Sequence, residues 1–264
     1  MAKYLFLIFG ISAIIAIANT IPVLHQLEEK SKEIDPEEQG GYFEGDMILD
    51  QDQLNSILNP KGRHILIGEK YKWKNAIVHY EIDSVFSEQQ VTEILKAIKI
   101  LEQATCIRFY EKTADTIDFI RITGNPTGCH SYIGRKEGEQ ELNLQLYPVG
   151  EGCFILHKIV HEFIHALGFY HQQAASNRDD YVKIIEKNIK EGKEHNFEKH
   201  NITTVTDLGV PYDYESVMHY GPTAFSKNGE PTIIPLDPSA NIGQRQKLTE
   251  KDILKLNLLY CMKD

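Results

Sequence analysis

The pattern of apolar and polar positions predicts one long amphipathic helix in the first half of the chain. Ser87 and Gln90 have the spacing of a capping box, a common start of a helix. Apolar residues then recur at intervals of three and four, which places them on one helical face: Val91, Ile94, Leu95, Ile98 and Leu101. We therefore expect a helix after Ser87 that buries this face.

Short apolar runs on both sides of this helix predict strands. Three of them, at 76–82, 106–110 and 117–122, are rich in the residues that strands favour. A fourth run, at 142–146, alternates apolar and polar residues with a period of two. This part of the chain is therefore expected to mix helices and strands.

The pattern loosens after His171 into segments rich in Asn, Asp, Gly and Pro, which predict loops. Thr249 and Asp252 then form a second capping box before a last helix. The expected fold class is α+β, with a mixed sheet and helices in the N-terminal half and a loop-rich C-terminal half that ends in a helix.

The first residues predict a cleaved secretory signal. Lys3 precedes an apolar run at 4–18 that ends in small residues. A membrane anchor is the alternative, but the run is shorter than the ~20 residues that a spanning helix needs. We expect residues 1–18 to be a signal peptide, the protein to be secreted and extracellular, and no membrane anchor to remain.

Charge excludes one class of partner and marks one segment. The chain of 264 residues has a net charge of −10 and no basic block, so it has little affinity for nucleic acid. Acidic residues are concentrated at 20–63, a segment that has too few apolar residues for a core of its own. A domain of about 200 residues is expected to start at His64.

The cysteines and one glycosylation sequon fit an extracellular protein. Four cysteines occur without a C-x-x-C pair, which fits two disulfides but allows three pairings: Cys106, Cys129, Cys153 and Cys261. Asn201 opens an Asn-Ile-Thr sequon that can accept a glycan if it is exposed.

Candidate chemistry is concentrated in residues 153–171. The helix predicted at 153–168 places His161 and His165 one turn apart on the same face, with Glu162 beside the first histidine. Gly168 can adopt the left-handed conformation that ends a helix, after which the chain can bring back His171. Three imidazoles can then converge on one metal ion.

Three neutral imidazoles suit a single catalytic zinc ion, which keeps a position for water and lowers the pKa of that water to about 7. Glu162 is the candidate general base, and the expected reaction is peptide-bond hydrolysis. The short H-E-x-x-H motif alone also arises by chance on amphipathic helices, but the full array with His171 is far more specific. His157 and His219 lack this spacing and are interpreted as structural.

The histidine array, followed by Ser-Val-Met-His-Tyr at 216–220, resembles the astacin family of zinc endopeptidases within the metzincins. Further matches to astacin catalytic domains occur at 71–73, 77–80, 106–109, 131–135 and 243–245. The resemblance covers 64–261 and implies a two-lobed metzincin-type fold that acts on proteins or peptides.

The resemblance also implies roles for individual residues. Tyr220 would be a fifth zinc ligand in the resting enzyme and would then stabilise the oxyanion, and Met218 would lie beneath the metal. The strand at 142–146 would be the edge strand that pairs with substrate. The implied disulfides are Cys106 with Cys261 and Cys129 with Cys153.

The acidic segment resembles an astacin propeptide, because Phe-Glu-Gly-Asp at 43–46 matches its F-x-G-D motif. Asp46 would then bind the zinc ion and keep the precursor inactive; a solvated acidic turn is the alternative. We expect a propeptide at 19–63, a cut between Arg63 and His64 by a trypsin-like protease, and a monomeric peptidase domain at 64–264.

The match fails at three positions after the third histidine. The family usually has Glu, Arg and Asp where this chain has Gln172, Ala175 and Asn177. The family's Glu is linked to the new N-terminus after maturation, so Gln172 removes an ion pair. These changes leave one alternative function, a secreted zinc-containing binding protein or toxin component with little peptidase activity. An adhesion module without metal would require the motif spacing to be coincidence.

Overall fold

The computed structural model describes residues 35–58, 69–201 and 205–262. Within these ranges the chain forms four α-helices: α1 (Gln51–Leu58), α2 (Glu88–Ala104), α3 (Leu156–Ala166) and α4 (Glu250–Tyr260). The strands there are β1 (Met47–Ile48), β2 (Ile77–Ile82), β3 (Arg108–Glu111), β4 (Phe119–Thr123), β5 (Cys129–Tyr132), β6 (Glu139–Leu144), β7 (Val182–Ile184) and β8 (Ile233–Pro235). All of these elements belong to the unit Pro36–Asp264.

Six strands form a mixed sheet in the order β1-β5-β6-β4-β2-β3. Every neighbouring pair is parallel except β5 and β6, which pair antiparallel with Cys129 opposite Leu144. The expectation that residues 142–146 form an edge strand is wrong, because β6 is hydrogen-bonded on both sides, to β4 and β5. Its alternation arises because Leu142 and Leu144 face the core while their neighbours do not.

Helices α2 and α3 pack against each other and contribute the main core together with one face of the sheet. Ser87 accepts a hydrogen bond from the Gln90 amide, and Gln90 bonds back to the Ser87 amide, which confirms the predicted capping box. The apolar face buries Ile94, Ile98 and Leu101. The long helix is therefore fixed by local capping and by its amphipathic pattern.

The C-terminal half is loop-rich, as expected, and has a second, smaller core. The two short strands β7 and β8 pair antiparallel, and the buried residues around them include Phe197, Tyr220 and Phe225. The final helix α4 has the predicted capping box at Thr249 and Asp252. Disulfides join Cys106 to Cys261 and Cys129 to Cys153.

Residues 36–58, called here the N-terminal segment, pack onto the edge of the sheet. Strand β1 pairs parallel with β5, so that Met47 lies opposite Ser131. Met47 is fully buried in a small cluster with Ile133 and Tyr170, and the Gln53 side chain donates a hydrogen bond to the Ile133 carbonyl. In the part of the chain that is described, no helix has the length and apolar character needed to cross a membrane.

Candidate active site

The first two histidines, His161 and His165, lie on the buried helix α3. Its last turn ends in carbonyl groups that have partners elsewhere: the Trp73 indole donates to Ala166, and the Tyr260 hydroxyl donates to Leu167. Gly168 follows with a φ of 103°, a left-handed conformation that favours glycine. The chain then reverses and brings His171 back towards the helix.

The three imidazoles meet through their Nε2 atoms. The Nε2 of His161 lies 2.9 Å from that of His165 and 3.3 Å from that of His171. Each Nδ1 atom faces an acceptor instead, the Val217 carbonyl, the Phe169 carbonyl and the Glu44 carboxylate respectively. These partners favour the tautomer with the proton on Nδ1, in which the three Nε2 lone pairs face one another and can hold a cation between them.

Asp46 of the N-terminal segment completes this group. Its carboxylate oxygens lie 3.3 Å from the Nε2 of His161, 3.6 Å from that of His165 and 3.3 Å from that of His171. Tetrahedral zinc with ligands at about 2.0–2.1 Å keeps them about 3.4 Å apart, so the spacing fits a zinc ion. Burial alone would raise the pKa of Asp46, but the His171 and His165 imidazoles hold it well below its ordinary value.

Glu162 lies beside the histidines with its carboxylate fully buried. Neither oxygen has a hydrogen-bond partner among the described residues. Burial raises the pKa of Glu162 well above its ordinary value, and the carboxylates of Asp46 and Glu37 add to this effect. A buried carboxylate with no partner and a strong tendency to take up a proton suits a general base.

The residues 216–220 pass close to the histidines. The Met218 carbonyl accepts a hydrogen bond from the Gln172 amide, and Met218 itself is buried in the main core. The Tyr220 hydroxyl donates a hydrogen bond to the Glu44 carbonyl. Burial raises the pKa of Tyr220 well above its ordinary value, so the phenol stays protonated and remains a donor.

His219 is structural, as its lack of metal spacing predicted. Its Nδ1 bonds to the Tyr220 carbonyl at 2.8 Å, and its Nε2 accepts a hydrogen bond from the Tyr212 hydroxyl at 2.7 Å. Burial lowers the pKa of His219 to about 4. The neutral ring therefore fixes the backbone that carries Tyr220.

Two carboxylates at the site are absent from the sequence-based candidates. Glu44 accepts a hydrogen bond from His171 at 2.9 Å and lies 2.8 Å from His200. Glu37 accepts two hydrogen bonds from the Arg245 guanidinium and lies within 4.8 Å of His161 and Glu162. The high proportion of acidic residues at 20–63 is the only feature of the sequence that points to these two carboxylates, because their partners lie more than 100 residues away in the sequence.

The remaining candidates divide into described and undescribed positions. Gln172 is buried, and its side-chain oxygen accepts a hydrogen bond from Lys255 at 2.6 Å. Asn201 is exposed. The signal peptide at 1–18, the Arg63–His64 bond and Thr203 of the sequon lie outside the described residues.

Comparison with known proteins decides the family. Residues 66–261 match the family model of the astacin peptidases. The chain belongs to the astacin family. Seminal metalloprotease 1 of Drosophila melanogaster is 43% identical over 237 residues, which cover 87% of this chain and 90% of that protein. The astacin resemblance seen in the sequence is thus confirmed.

Other relatives are longer than this chain. Zinc metalloproteinase nas-13 of Caenorhabditis elegans is 43% identical over 72% of this chain but only 41% of that protein. Human meprin A subunit beta is 41% identical over 83% of this chain and 29% of that protein. The chain therefore spans less than half the length of either of these relatives.

A solved structure confirms the fold. High choriolytic enzyme 1, a hatching enzyme zinc-protease from the medaka Oryzias latipes, superposes with a TM-score of 0.66 at 41% identity over 73% of this chain and 94% of that chain. The α+β fold of a metzincin-type catalytic domain is confirmed. As an astacin, the protein is a zinc metallopeptidase that acts on proteins or peptides.

Proposed function

We propose that this chain is the secreted precursor of an endopeptidase, with His161, His165 and His171 as the zinc ligands and Glu162 as the general base. The proposal rests on three Nε2 atoms that converge beside the buried Glu162 carboxylate, for which the described residues supply no hydrogen-bond partner. The intact Glu162 argues against a purely structural zinc site, which needs a fourth ligand but no base.

The residues suggest how a peptide bond would be hydrolysed. Zinc held by the three imidazoles would polarise the scissile carbonyl and acidify the attacking water. Glu162 takes the proton from that water as it attacks the carbonyl carbon, and then delivers the proton to the leaving amine. The Tyr220 phenol, once free of the Glu44 carbonyl, donates a hydrogen bond to the oxyanion of the tetrahedral intermediate. Met218 supports the site from the main core.

The edge of the sheet supplies a place for an extended substrate. Within the described residues, β5 pairs on one side with β6 and on the other only with the two-residue strand β1. The Ser131 amide donates to the Asp46 carbonyl, so this edge leads directly to the three histidines. After β1 leaves, a substrate peptide can take its place by backbone hydrogen bonds.

The N-terminal segment is proposed to keep the precursor inactive. The Asp46 carboxylate lies beside the three Nε2 atoms and would be the fourth ligand of the metal in place of the catalytic water, and the Glu44 carbonyl holds the Tyr220 hydroxyl. Cleavage between Arg63 and His64 by a trypsin-like protease would release residues 19–63 from the peptidase domain at 64–264. Water, Tyr220 and substrate could then reach the site.

The extracellular setting is proposed on chemical grounds. Both disulfides join separated parts of the fold and are stable in an oxidising compartment. The apolar run at 4–18 has the composition of a signal peptide, and the exposed Asn201 can carry a glycan. We propose that the released peptidase domain acts as a monomer.

A substitution of the base tests the proposed reaction. Glu162→Gln should retain about one zinc per chain, because Glu162 is not a ligand, while kcat/KM for a quenched peptide falls by about 10²–10⁴-fold. Zinc is measured by elemental analysis of the trypsin-processed protein. Glu151→Gln, an exposed change before α3, is the control and should retain full activity. Cleavage by Glu162→Gln at the control rate would contradict the proposal.

A second substitution tests latency. The unprocessed wild-type protein should bind an active-site hydroxamate very weakly, because Asp46 would hold the coordination position that the hydroxamate needs. Asp46→Ala should bind it before any processing, as measured by displacement of a fluorescent hydroxamate. Asp52→Ala, which removes a largely exposed carboxylate of the same segment, should remain closed. A closed Asp46→Ala precursor would remove Asp46 from the latency mechanism.

A further inference from the structure

Strand β5 presents the His130 side chain on the face of the sheet opposite the main core. Leu142 and Leu144 of β6 point into that core, so Glu141 and Asn143 lie on the other face, called here the outer face. His130 is paired with Asn143 across the two strands and therefore shares the outer face. It is fully buried because the N-terminal segment lies over this part of the sheet.

The side chain that covers His130 is Tyr42 of the N-terminal segment. The two ring centroids lie 4.3 Å apart with an angle of 44° between the planes. Gly40 packs against the other side of the Tyr42 ring, since an added Cβ would come within 2.4 Å of it. The Thr127 side chain is also a hydrogen-bond partner of the phenol. An aromatic ring thus fills a site one residue along β5 from Ser131, the partner of Asp46.

The His130 ring is held in place by the sheet rather than by the N-terminal segment. Its Nε2 lies 3.4 Å from the Glu141 carboxylate, which accepts further hydrogen bonds from Thr123 at 2.7 Å and Asn125 at 2.9 Å. These contacts lower the pKa of Glu141 to about 2, with the His130 hydrogen bond as the largest cause. The carboxylate stays ionised and keeps the Nε2 proton directed towards it.

The other nitrogen of the ring has no such partner. The Nδ1 atom of His130 is buried and has no hydrogen-bond partner among the described residues. The ring face and this nitrogen are thus left for whatever covers β5. Tyr42 covers them in the precursor and would leave with the N-terminal segment on maturation.

We propose that His130, oriented by Glu141, forms a subsite for one aromatic side chain of the substrate. This inference rests on the proposed function, since it requires a peptide to replace the N-terminal segment along β5. Side chains of an extended peptide alternate between the two faces of a sheet. A substrate side chain that lies on the outer face beside His130 therefore takes the place of the Tyr42 ring, which reaches His130 from outside the pairing of β1 with β5. Stacking against a fixed imidazole favours a flat ring over a branched aliphatic group.

The test is digestion of a peptide library by the trypsin-processed protein, with Tyr, Phe or Leu at each position around one scissile bond. We expect one position at which Tyr and Phe give a kcat/KM about fivefold higher than Leu. His130→Ala should abolish this preference, and His130→Phe, which retains a flat ring, should preserve it. Tyr110→Ala, at the opposite edge of the sheet, is the control and should retain the wild-type preference.

The outcomes separate this subsite from the proposed function. If the wild-type protein cleaves the library but shows no aromatic preference at any position, or if His130→Ala retains it, the subsite is refuted while the peptidase proposal stands. If His130→Ala fails to fold, judged by its zinc content and thermal melting, His130→Phe and Glu141→Gln decide. Glu141→Gln frees the ring and should at least halve the preference, and an unchanged preference would refute the role of Glu141. Absence of any zinc-dependent cleavage refutes the proposed function itself.

Discussion

Among single residues, Glu37 forms the buried ion pair that joins the N-terminal segment to Arg245, beside the candidate active site. Arg245 donates to both of its oxygens, at 3.0 and 2.8 Å, and the Lys158 ammonium lies 4.0 Å away. Burial alone would raise the pKa of Glu37, but the charge of Arg245 holds it far below its ordinary value. Breaking such a pair from one side costs about 3–5 kcal/mol because a buried charge loses its partner.

Glu37→Ala should therefore loosen the N-terminal segment while leaving Asp46 intact. In this variant the Arg245 guanidinium has lost the Glu37 carboxylate, so opening of the N-terminal segment becomes easier because it returns the guanidinium to water. We therefore expect the unprocessed variant to bind an active-site hydroxamate about 100-fold more tightly than the wild-type precursor. Glu38→Ala is the matched control, since its 3.6 Å contact with Lys190 is partly exposed and is worth about 1 kcal/mol at most. Equal affinities for the two variants would show that the buried pair adds nothing to closure.

The site residues differ in how far apart in the sequence the residues that meet at the site lie. His161, Glu162 and His165 lie on one helix, so their juxtaposition follows from the 3.6-residue period alone. The partners of this group do not, because Asp46 lies 115 residues from His161 and Glu37 lies 208 residues from Arg245. Only the family's propeptide motif points to Asp46. Nothing in the sequence around Glu37 distinguishes it from a solvated carboxylate, and Glu44 stands at the unspecified position of the F-x-G-D motif.

At the scale of elements, helix α4 holds the segment that carries Tyr220. Asp252 lies in the first turn of α4 and is buried. Its carboxylate accepts hydrogen bonds from the Ser216 hydroxyl at 2.6 Å and from the Val217 amide at 3.0 Å. The same side chain completes the capping box at Thr249. One residue thus completes the helix cap and fixes the position of Ser216 and Val217, close to Tyr220.

Asp252→Ala should destabilise the protein by about 2–4 kcal/mol, since it leaves a buried amide and a buried hydroxyl without acceptors. The measurement is the urea midpoint of the unprocessed protein, followed by kcat/KM after processing, which should also fall because the Tyr220 backbone shifts. Glu250→Ala changes an exposed residue in the same turn and should alter stability by less than about 0.5 kcal/mol. A similar effect of both substitutions would mean that α4 does not position the turn.

The capped helices and the longer apolar runs could be predicted from the sequence, whereas the shortest strands and the order of the strands could not. Both capping boxes predict the beginnings of α2 and α4 because the cap is made by residues three positions apart. The apolar pattern does not predict β5, β7 or β8, since strands of three or four residues show too little alternation. The sheet order depends on long-range pairing, which is why the expected edge position of residues 142–146 is wrong.

For the whole molecule, the proposed metal site is the point where three separate parts of the chain meet. Helix α3, the returning segment with His171 and the N-terminal segment each contribute side chains that could hold a metal ion, His161, His165, His171 and Asp46. The Cys106–Cys261 disulfide adds a covalent link between the chain after α2 and the end of α4. In the chain-entropy model, a link across a loop this long stabilises a fold by about 5 kcal/mol. A metal bound by the folded state alone would add to this through mass action.

Removal of the metal should therefore lower the melting temperature of the unprocessed protein. Zinc at about 1,000 times its dissociation constant contributes about 4 kcal/mol, which corresponds to roughly 10 °C for a domain of this size. Melting is followed by circular dichroism before and after chelation, and added zinc should restore the original value. Asp46→Ala should show a clearly smaller metal-dependent shift in melting temperature, because the N-terminal segment no longer supplies a ligand. In the wild-type precursor, metal binding and closure of the segment stabilise each other. A full shift in Asp46→Ala would show that the metal and the N-terminal segment stabilise the molecule independently.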